Sequence, residues 1–416
     1  MPSMKVLLSA TYPLVEPRHG GQLRTRHIYE IYKKAGIDVD YVGIFPEGAY
    51  TQRADTDLQL PGELGGRTLQ EHEQALYDYV WGMHIANNEL ARCSLLKRIR
   101  AGRYDYIQID LLYVWPLVRE CLSQLGPDEP RPRIIYSSQN IEHEMKRQIL
   151  QELGAPAGTV EQYGKEVFEL ERDIARKASH VFAVSESDRN TLNVISDRND
   201  CVLAKNGTSY STVSERATED WRPVLPSDPF AVFISSGHLP NAVGFSTVMG
   251  QSMAFLPPDR KLVIAGGVTE VIERTKAYRR WSGINNARTL RLGIVDDIGI
   301  AAMRRFAHVF ILPITAGGGS NIKTAEALLT GAHVLGTPTA FRGYEEYIDE
   351  PSVYVEADPV RFRARLVELL HSGRAKLSDA DLVARKRLLW ESALSAMPAQ
   401  LFKESSLHAH GTTDLV

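Results

Sequence analysis

The chain has 416 residues, 24% of them charged, and a formal net charge of −3. That length suits two sizeable domains rather than one, and the near-neutral balance gives no overall attraction for DNA, RNA or an anionic bilayer. Three scattered cysteines, Cys93, Cys121 and Cys201, argue against a disulfide framework or a thiolate zinc site and fit a reducing compartment.

The run from Met4 to Val15 could pass for a signal-peptide core, but Glu16, Pro17, Arg18 and His19 interrupt it, and it is read as a first buried strand. Gly20 and Gly21 follow, with a helix expected from about Gln22. The segments VLLSA, VDYVGIF, YIQID, RIIYSS and HVFAVS are near-continuously apolar, as parallel strands covered on both faces are. Between Thr208 and Pro229 the composition turns to Ser, Thr, Glu and Pro without helical periodicity, which predicts a linker. A second α/β unit follows with AVFISS, KLVIAG, TLRLGIV, HVFILP and HVLGT. Asp381 to Phe402 is helical in pattern, and His408 to Val416 is expected to be a loose tail. No apolar run approaches the roughly 20 residues a membrane helix needs.

The segment from Pro313 to Thr330, PITAGGGSNIKTAEALLT, follows the apolar run AHVFIL and so reads strand, glycine turn, helix. Such a junction binds anions: Gly317, Gly318 and Gly319 let the backbone approach a ligand with its N–H groups inward, and the helix dipole adds positive charge at the same point. Ser320 is expected as the N-cap. Lys323 and Glu326 lie on one helical stripe, with Glu326 roughly 9 Å along the axis from Ser320. This predicts a nucleotide diphosphate at the turn, neutralised by Lys323, with Glu326 on sugar hydroxyls. The alternative is a solvated i, i+3 pair beside a plain loop.

Four segments, in order, resemble the GT-B glycosyltransferases, specifically the retaining, nucleotide-sugar-dependent glycosyltransferase family 4 and its relatives. They are KVLLSATYPLVEPRHGGQLRTRHIYEIYKKAGIDVDYVGIF from Lys5; RIIYSSQNIEHEM from Arg133; FELERDIARKASHVFAVSESDRNTL from Phe168 with KNG at Lys205; and, in the second half, FISSGHLPNAVGF, LVIAGG and LGIVDDIGIAAMRRFAHVFILP leading into the glycine turn. The resemblance implies an α/β fold of GT-B type, two Rossmann-like doubly wound domains facing a central cleft. It places an acceptor-side domain at 1–207, a linker at 208–228, a nucleotide-sugar domain at 229–390, and at 391–416 a helix crossing back to the first domain plus the tail. The implied function is transfer of a sugar, with retained anomeric configuration, from a UDP-, GDP- or dTDP-sugar to an acceptor hydroxyl, without metal or further cofactor. The acceptor is a polysaccharide, a lipid-linked glycan or a small natural product, and the expected location is cytoplasmic, with peripheral contact at the inner membrane face left open. A GT-B-type nucleotide-sugar epimerase and a non-catalytic glycosyltransferase-like subunit remain as alternatives.

The resemblance also assigns residues. Lys323 and Glu326 are the catalytic pair; Gly20, Gly21, Gly237, His238, Val295, Gly318, Gly319, Ser320 and Asn321 are donor-binding; Arg24, Asn140, Glu142 and His143 touch acceptor or sugar. Departures from the family pattern are specific: Gly318 stands where many members carry a first glutamate, Gln139 replaces a strand-end histidine, and the loop SSGHLPN carries no cation except His238. Lys323 must then supply most of the positive charge.

Other constellations are weaker. Asp38-Val39-Asp40 matches the D-x-D of metal-dependent GT-A enzymes but reads as solvated strand-edge acids. No Walker loop, His-x-x-x-His, Cys-x-x-Cys, Gly-x-Ser-x-Gly or Rossmann glycine fingerprint is present. Arg24 and Arg26 are placed on a helix surface, either solvated or reaching phosphate or acceptor. Asn140, Glu142 and His143 are expected at a strand end where ligands of open sheets bind. His19, His180 and His308 are read as structural. Arg92, Lys97, Arg98, Arg100 and Arg103, near Trp81 and Tyr104, form a solvated helix face or a membrane-surface helix.

Overall fold

The computed structural model describes residues 4–410 apart from 18, 65 and 67, and side chains as far as 403. The chain divides into two compact units, one formed by Met1–Lys205 with Ala393–Val416 and the other by Asn206–Ser392. Of the expected loose tail from His408, residues 408–410 continue the last helix and 411–416 lie outside the described residues.

The first unit holds a sheet of β1 (Lys5–Ala10), β2 (Asp38–Pro46), β3 (Leu58–Leu60), β4 (Tyr106–Ile109), β5 (Arg133–Ser137), β6 (His180–Ala183) and β7 (Val202–Leu203). Their order is β3-β2-β1-β4-β5-β6-β7, with every pairing parallel. The second unit holds β8 (Phe230–Ile234), β9 (Lys261–Ala265), β10 (Thr289–Gly293), β11 (Val309–Leu312), β12 (His333–Gly336) and β13 (Val353–Val355), in the order β10-β9-β8-β11-β12-β13, again all parallel. The continuous apolar strand sequences follow from this geometry, because helices cover both faces. Val6, Leu7 and Leu8 of β1 and Val232 of β8 are fully buried. Three elements of these sheets escape the sequence reading: β3, β7 and β13, short edge strands with too few residues to show a pattern.

The helices bury stripes at i, i+3, i+4 spacing. In Ala157–Lys177 the buried set is Tyr163, Gly164, Val167, Leu170, Glu171, Ile174 and Ala175. Glu171, fully buried in an otherwise apolar stripe, is the anomaly taken up below. The expected linker is not free of helix: Ser214 caps a short helix at Glu215–Asp220, its side chain accepting from the Ala217 amide. The pattern from Asp381 resolves into Asp379–Arg385, Trp390–Ala393 and Ala396–His410, separated at Lys386–Leu388 by a 3-10 turn.

Candidate functional site

In the second sheet, β8 sits between β9 and β11, so the connection reverses direction at the β8/β11 pair. Open α/β sheets bind ligands outside the carboxyl ends of their strands at such a point. Two loops emerge there: Ser235–His238 after β8, and Pro313–Asn321 after β11. The first opens directly into the Leu239–Met249 helix, whose Gly244 lies so close to the second loop that an added Cβ would stand 2.4 Å from the Pro313 carbonyl oxygen.

The glycine loop is held from behind. Gly317 (φ 126°) and Gly319 (φ 61°) adopt backbone conformations that side-chain-bearing residues rarely take. Arg342 donates from Nε to the Gly319 carbonyl and from a terminal nitrogen to the Gly317 carbonyl. Gly343, itself at φ 84°, packs so tightly that an added Cβ would meet the Ser320 Cβ at 2.5 Å. Asn206 Nδ2 donates to the Ser320 carbonyl at 3.4 Å, and Tyr344 Oη donates to the Asn206 main-chain carbonyl at 3.0 Å. These bonds use the loop's carbonyls and leave its amides. From Thr315 to Asn321 no backbone N–H donates a hydrogen bond within the described residues. A run of uncommitted N–H groups leading into a helix N-terminus is an anion-binding concavity.

The helix that follows spans Ile322–Leu329, and its N-cap is Asn321, whose side chain accepts from the Lys323 amide at 3.2 Å. The expected cap, Ser320, is displaced by one position; its Oγ is buried and has no hydrogen-bond partner among the described residues. The Ser235 hydroxyl, across at the end of β8, is likewise buried and unpartnered.

Lys323 is half-buried and has no ion pair or side-chain hydrogen bond among the described residues. Desolvation holds its pKa below the ordinary lysine value, with Glu326 opposing the shift only in part. It does not form the solvated pair with Glu326 that the sequence allows. Glu326 instead pairs with Arg304, on the Asp297–Phe306 helix, at 2.8 Å. His238 is near enough that the Lys323 charge adds to partial desolvation in lowering its pKa. The structure therefore brings Lys323, His238 and the glycine loop together, and adds Arg304 and Arg342, which the sequence reading missed. Gly237 faces the Gly267 carbonyl, 3.2 Å from where a Cβ would stand. Val295 is half-buried beyond the end of β10.

The first-unit candidates fall out differently. The helix begins at Gly20, so Gly20 and Gly21 form its first turn rather than a loop ahead of it. His19 caps it, its Nδ1 accepting from the Gln22 amide at 3.3 Å, and a Cβ on Gly21 would stand 2.6 Å from Gln139 Oε1. Arg24 is not on the surface: it is 1% exposed, donates to the Lys205 carbonyl at 3.2 Å, and its charge opposes in part the desolvation that raises the pKa of the buried Asp110.

Glu142 and His143 are also interior. Their helix starts at Glu142 behind Ile141, which has no side-chain acceptor, and Glu171 takes over the capping role. Its carboxylate accepts from the amides of Glu142 (3.1 Å) and His143 (3.3 Å) and lies 2.7 Å from His143 Nδ1. Glu142 accepts from Tyr113 Oη at 2.7 Å, and burial pushes its pKa up to about 7 against the opposing charge of Lys146. In the structure the two residues belong to a buried network that supports a helix N-terminus. Asn140 is half-buried and donates to Glu142 Oε1 at 3.2 Å.

Asp38 and Asp40 lie at the start of β2, each 3.7 Å from Lys5 Nζ, with Tyr104 Oη donating to Asp40 at 2.7 Å. In the basic segment Arg100 pairs with Glu129, Arg98 donates to the Tyr41 carbonyl, and Trp81 is 1% exposed. Among the described residues no helix is long and apolar enough to cross a membrane, and no cluster of three His, Cys, Asp or Glu is placed to hold a metal.

Two doubly wound parallel units, the second with a glycine loop and helix N-terminus at its switch point, define the GT-B fold. The chain shares it with sucrose-phosphate synthase from Thermosynechococcus elongatus, at TM-score 0.70 and 14% identity over 97% of this chain and 100% of that one. Anabaena HepE, solved in complex with UDP and glucose, matches at TM-score 0.67 and 12% identity over 96% and 100%. The α,α-trehalose 6-phosphate synthase from Burkholderia multivorans matches at TM-score 0.62 and 12% identity over 100% and 99%. These solved neighbours are glycosyltransferases, and at such identities the likeness establishes the fold. No protein-family model matches the chain, and no curated protein matches its sequence.

Proposed function

We propose that the protein is a nucleotide-sugar-dependent glycosyltransferase whose donor diphosphate binds the Gly317–Asn321 loop. One observation carries this reading: Lys323, a half-buried ammonium without a carboxylate partner, stands beside a run of uncommitted amides at a helix N-terminus. Keeping such a charge unpaired is costly in the free protein, and an anion in the loop offsets that cost. The complexes of HepE with UDP and with UDP-glucose make UDP the first nucleotide to test.

In this account the loop amides, Lys323 and the helix dipole stabilise the negative charge that grows on the departing diphosphate. Glu326, oriented by Arg304, accepts from ribose hydroxyls. Gly237 and His238 flank the phosphates; in the free protein desolvation and the Lys323 charge hold the His238 pKa down. Val295 edges the nucleobase. The sugar is transferred with retention, the acceptor hydroxyl attacking on the face the diphosphate leaves and giving its proton to a leaving phosphate oxygen, so no protein base is required. Calorimetric titration with UDP, followed by product analysis of UDP-glucose with and without a hydroxyl acceptor, tests the reading. Binding plus transfer supports it; absence of nucleoside diphosphate binding across UDP, GDP and dTDP removes it.

A further inference from the structure

The second unit carries a cationic cavity at the opposite end of its strands from the glycine loop. It has a volume of about 140 Å³ and is lined by Arg304, Arg305, His308, Thr330, Gly331 and Arg374 among others. His308 immediately precedes β11, and Gly331 lies just before β12, so the cavity opens at the amino ends of parallel strands whose carboxyl ends hold the candidate donor loops. A neighbouring cavity of about 410 Å³ shares His308 and Arg374 and adds Arg222.

The charges around the smaller cavity are unequally matched. Arg304 pairs with Glu326 at 2.8 Å, and Arg305 pairs with Glu219 at 3.1 Å and Glu215 at 3.5 Å. Arg374 donates to the Arg305 carbonyl at 3.0 Å and has no carboxylate within ion-pair distance among the described residues. The Ile322–Leu329 helix points its C-terminus here, which contributes about half a negative charge. Its last carbonyls are already occupied: Thr330 donates to Ala327, and Arg385 donates to Leu328 at 2.7 Å. Guanidinium forks of this kind match tetrahedral oxyanions, and the volume is roughly ten times what a single water needs.

We infer that this cavity is a second anion site, taking a phosphate group, free or carried by a small metabolite, and that its occupation weakens donor binding. The link is the Arg304–Glu326 pair. Arg304 lines the cavity while its partner lies on the helix whose N-terminus forms the candidate diphosphate site, so an anion that draws the Arg304 guanidinium releases the Glu326 carboxylate. Binding of the anion stands on the cavity alone; its effect on the donor rests on the function proposed above. By linkage the two ligands lower each other's affinity by the same factor.

The test is calorimetric titration of the full chain with inorganic phosphate, with the Lys323→Ala variant used to disable the glycine loop. Phosphate binding is expected to persist in Lys323→Ala and to weaken at least tenfold in Arg374→Ala and Arg374→Gln. Because Arg374 is exposed and makes a single hydrogen bond among the described residues, to the Arg305 carbonyl, both variants should fold. Phosphate should also reduce UDP affinity several-fold in the unmodified chain and not in the Arg374 variants, whereas direct competition at the glycine loop would survive those substitutions. Phosphate binding abolished by Lys323→Ala, or unchanged by loss of Arg374, overturns the second site and leaves the donor site standing. Failure of UDP to bind at all, with phosphate still sensitive to Arg374, instead refutes the donor reading and the coupling.

Discussion

Replacing Lys323 with alanine separates the two consequences of its placement. In the free protein the ammonium is half-buried and unpaired, and its pKa is held down by desolvation. For a base with a lowered folded-state pKa, the charged form is disfavoured by folding at every pH below that value, so at neutral pH removal of the charge relieves a cost. The melting temperature should therefore stay within about 2 °C of the parent or rise. With donor bound the sign reverses. The Ser235–His238 loop offers no fixed cation, and Arg342 is already committed to the Gly317 and Gly319 carbonyls, so no other charge replaces the ammonium. Loss of one donor to developing negative charge costs about 2.7–4 kcal/mol, a fall of about 10²- to 10³-fold in turnover. Lys323→Met, close in volume and uncharged, should match alanine if charge is the cause. Steady-state transfer from UDP-glucose beside a thermal melt measures both. Turnover within a few-fold of the parent, or a melt many degrees lower with turnover per folded molecule intact, would make Lys323 structural and refute the reasoning.

The remaining predictions concern the supports of the site. Arg342→Ala frees two loop carbonyls and should lower UDP affinity by about tenfold with a stability loss of about 1–3 kcal/mol, read by calorimetry and chemical denaturation. Gly343→Ala, which forces a positive φ on alanine and drives its methyl into Ser320, should destabilise by a similar amount and impair nucleotide binding more than any change in bulk charge could. Glu326→Gln should weaken UDP binding by about tenfold while leaving the preference between UDP and GDP unchanged, since the contact assigned to it is with ribose, which both carry. In the first unit, burial raises the Glu142 pKa to about 7, so the folded state binds more protons than the unfolded one between about pH 4.5 and 7 and loses stability as pH rises through that window. Denaturation at pH 5 and pH 8 should show Glu142→Gln gaining on the parent by no more than about 3 kcal/mol; a gain in the opposite direction would contradict the burial argument.

The sheet strands with four or more residues were legible because helices cover both faces, which leaves continuous apolar runs that alternation cannot hide. The glycine turn was legible for a different reason: three glycines before a helix have few uses. What closes the site was not. Arg342 lies more than twenty positions beyond the glycines it holds, and nothing local distinguishes it from a solvated arginine. Arg304 is in the same position with respect to Glu326. The burial of Arg24, Glu142 and His143 was not legible, because a charged residue near a strand end reads as exposed, whereas the fold sets Arg24 beside Asp110, and Glu142 and His143 in a buried network around Glu171. Glu171 itself was readable: it interrupts the apolar stripe of its helix, and a carboxylate there must find donors, here the two uncapped amides of the neighbouring helix.

The central claim is that a diphosphate occupies the amide-lined turn at Gly317–Asn321 and engages Lys323. A crystal structure of the full chain with bound UDP tests it most directly. The account predicts phosphate oxygens within hydrogen-bond reach of Lys323 Nζ and of amides in that turn, with ribose against Glu326. UDP ordered at another part of the chain, with the Lys323 ammonium and the turn amides untouched, would contradict it.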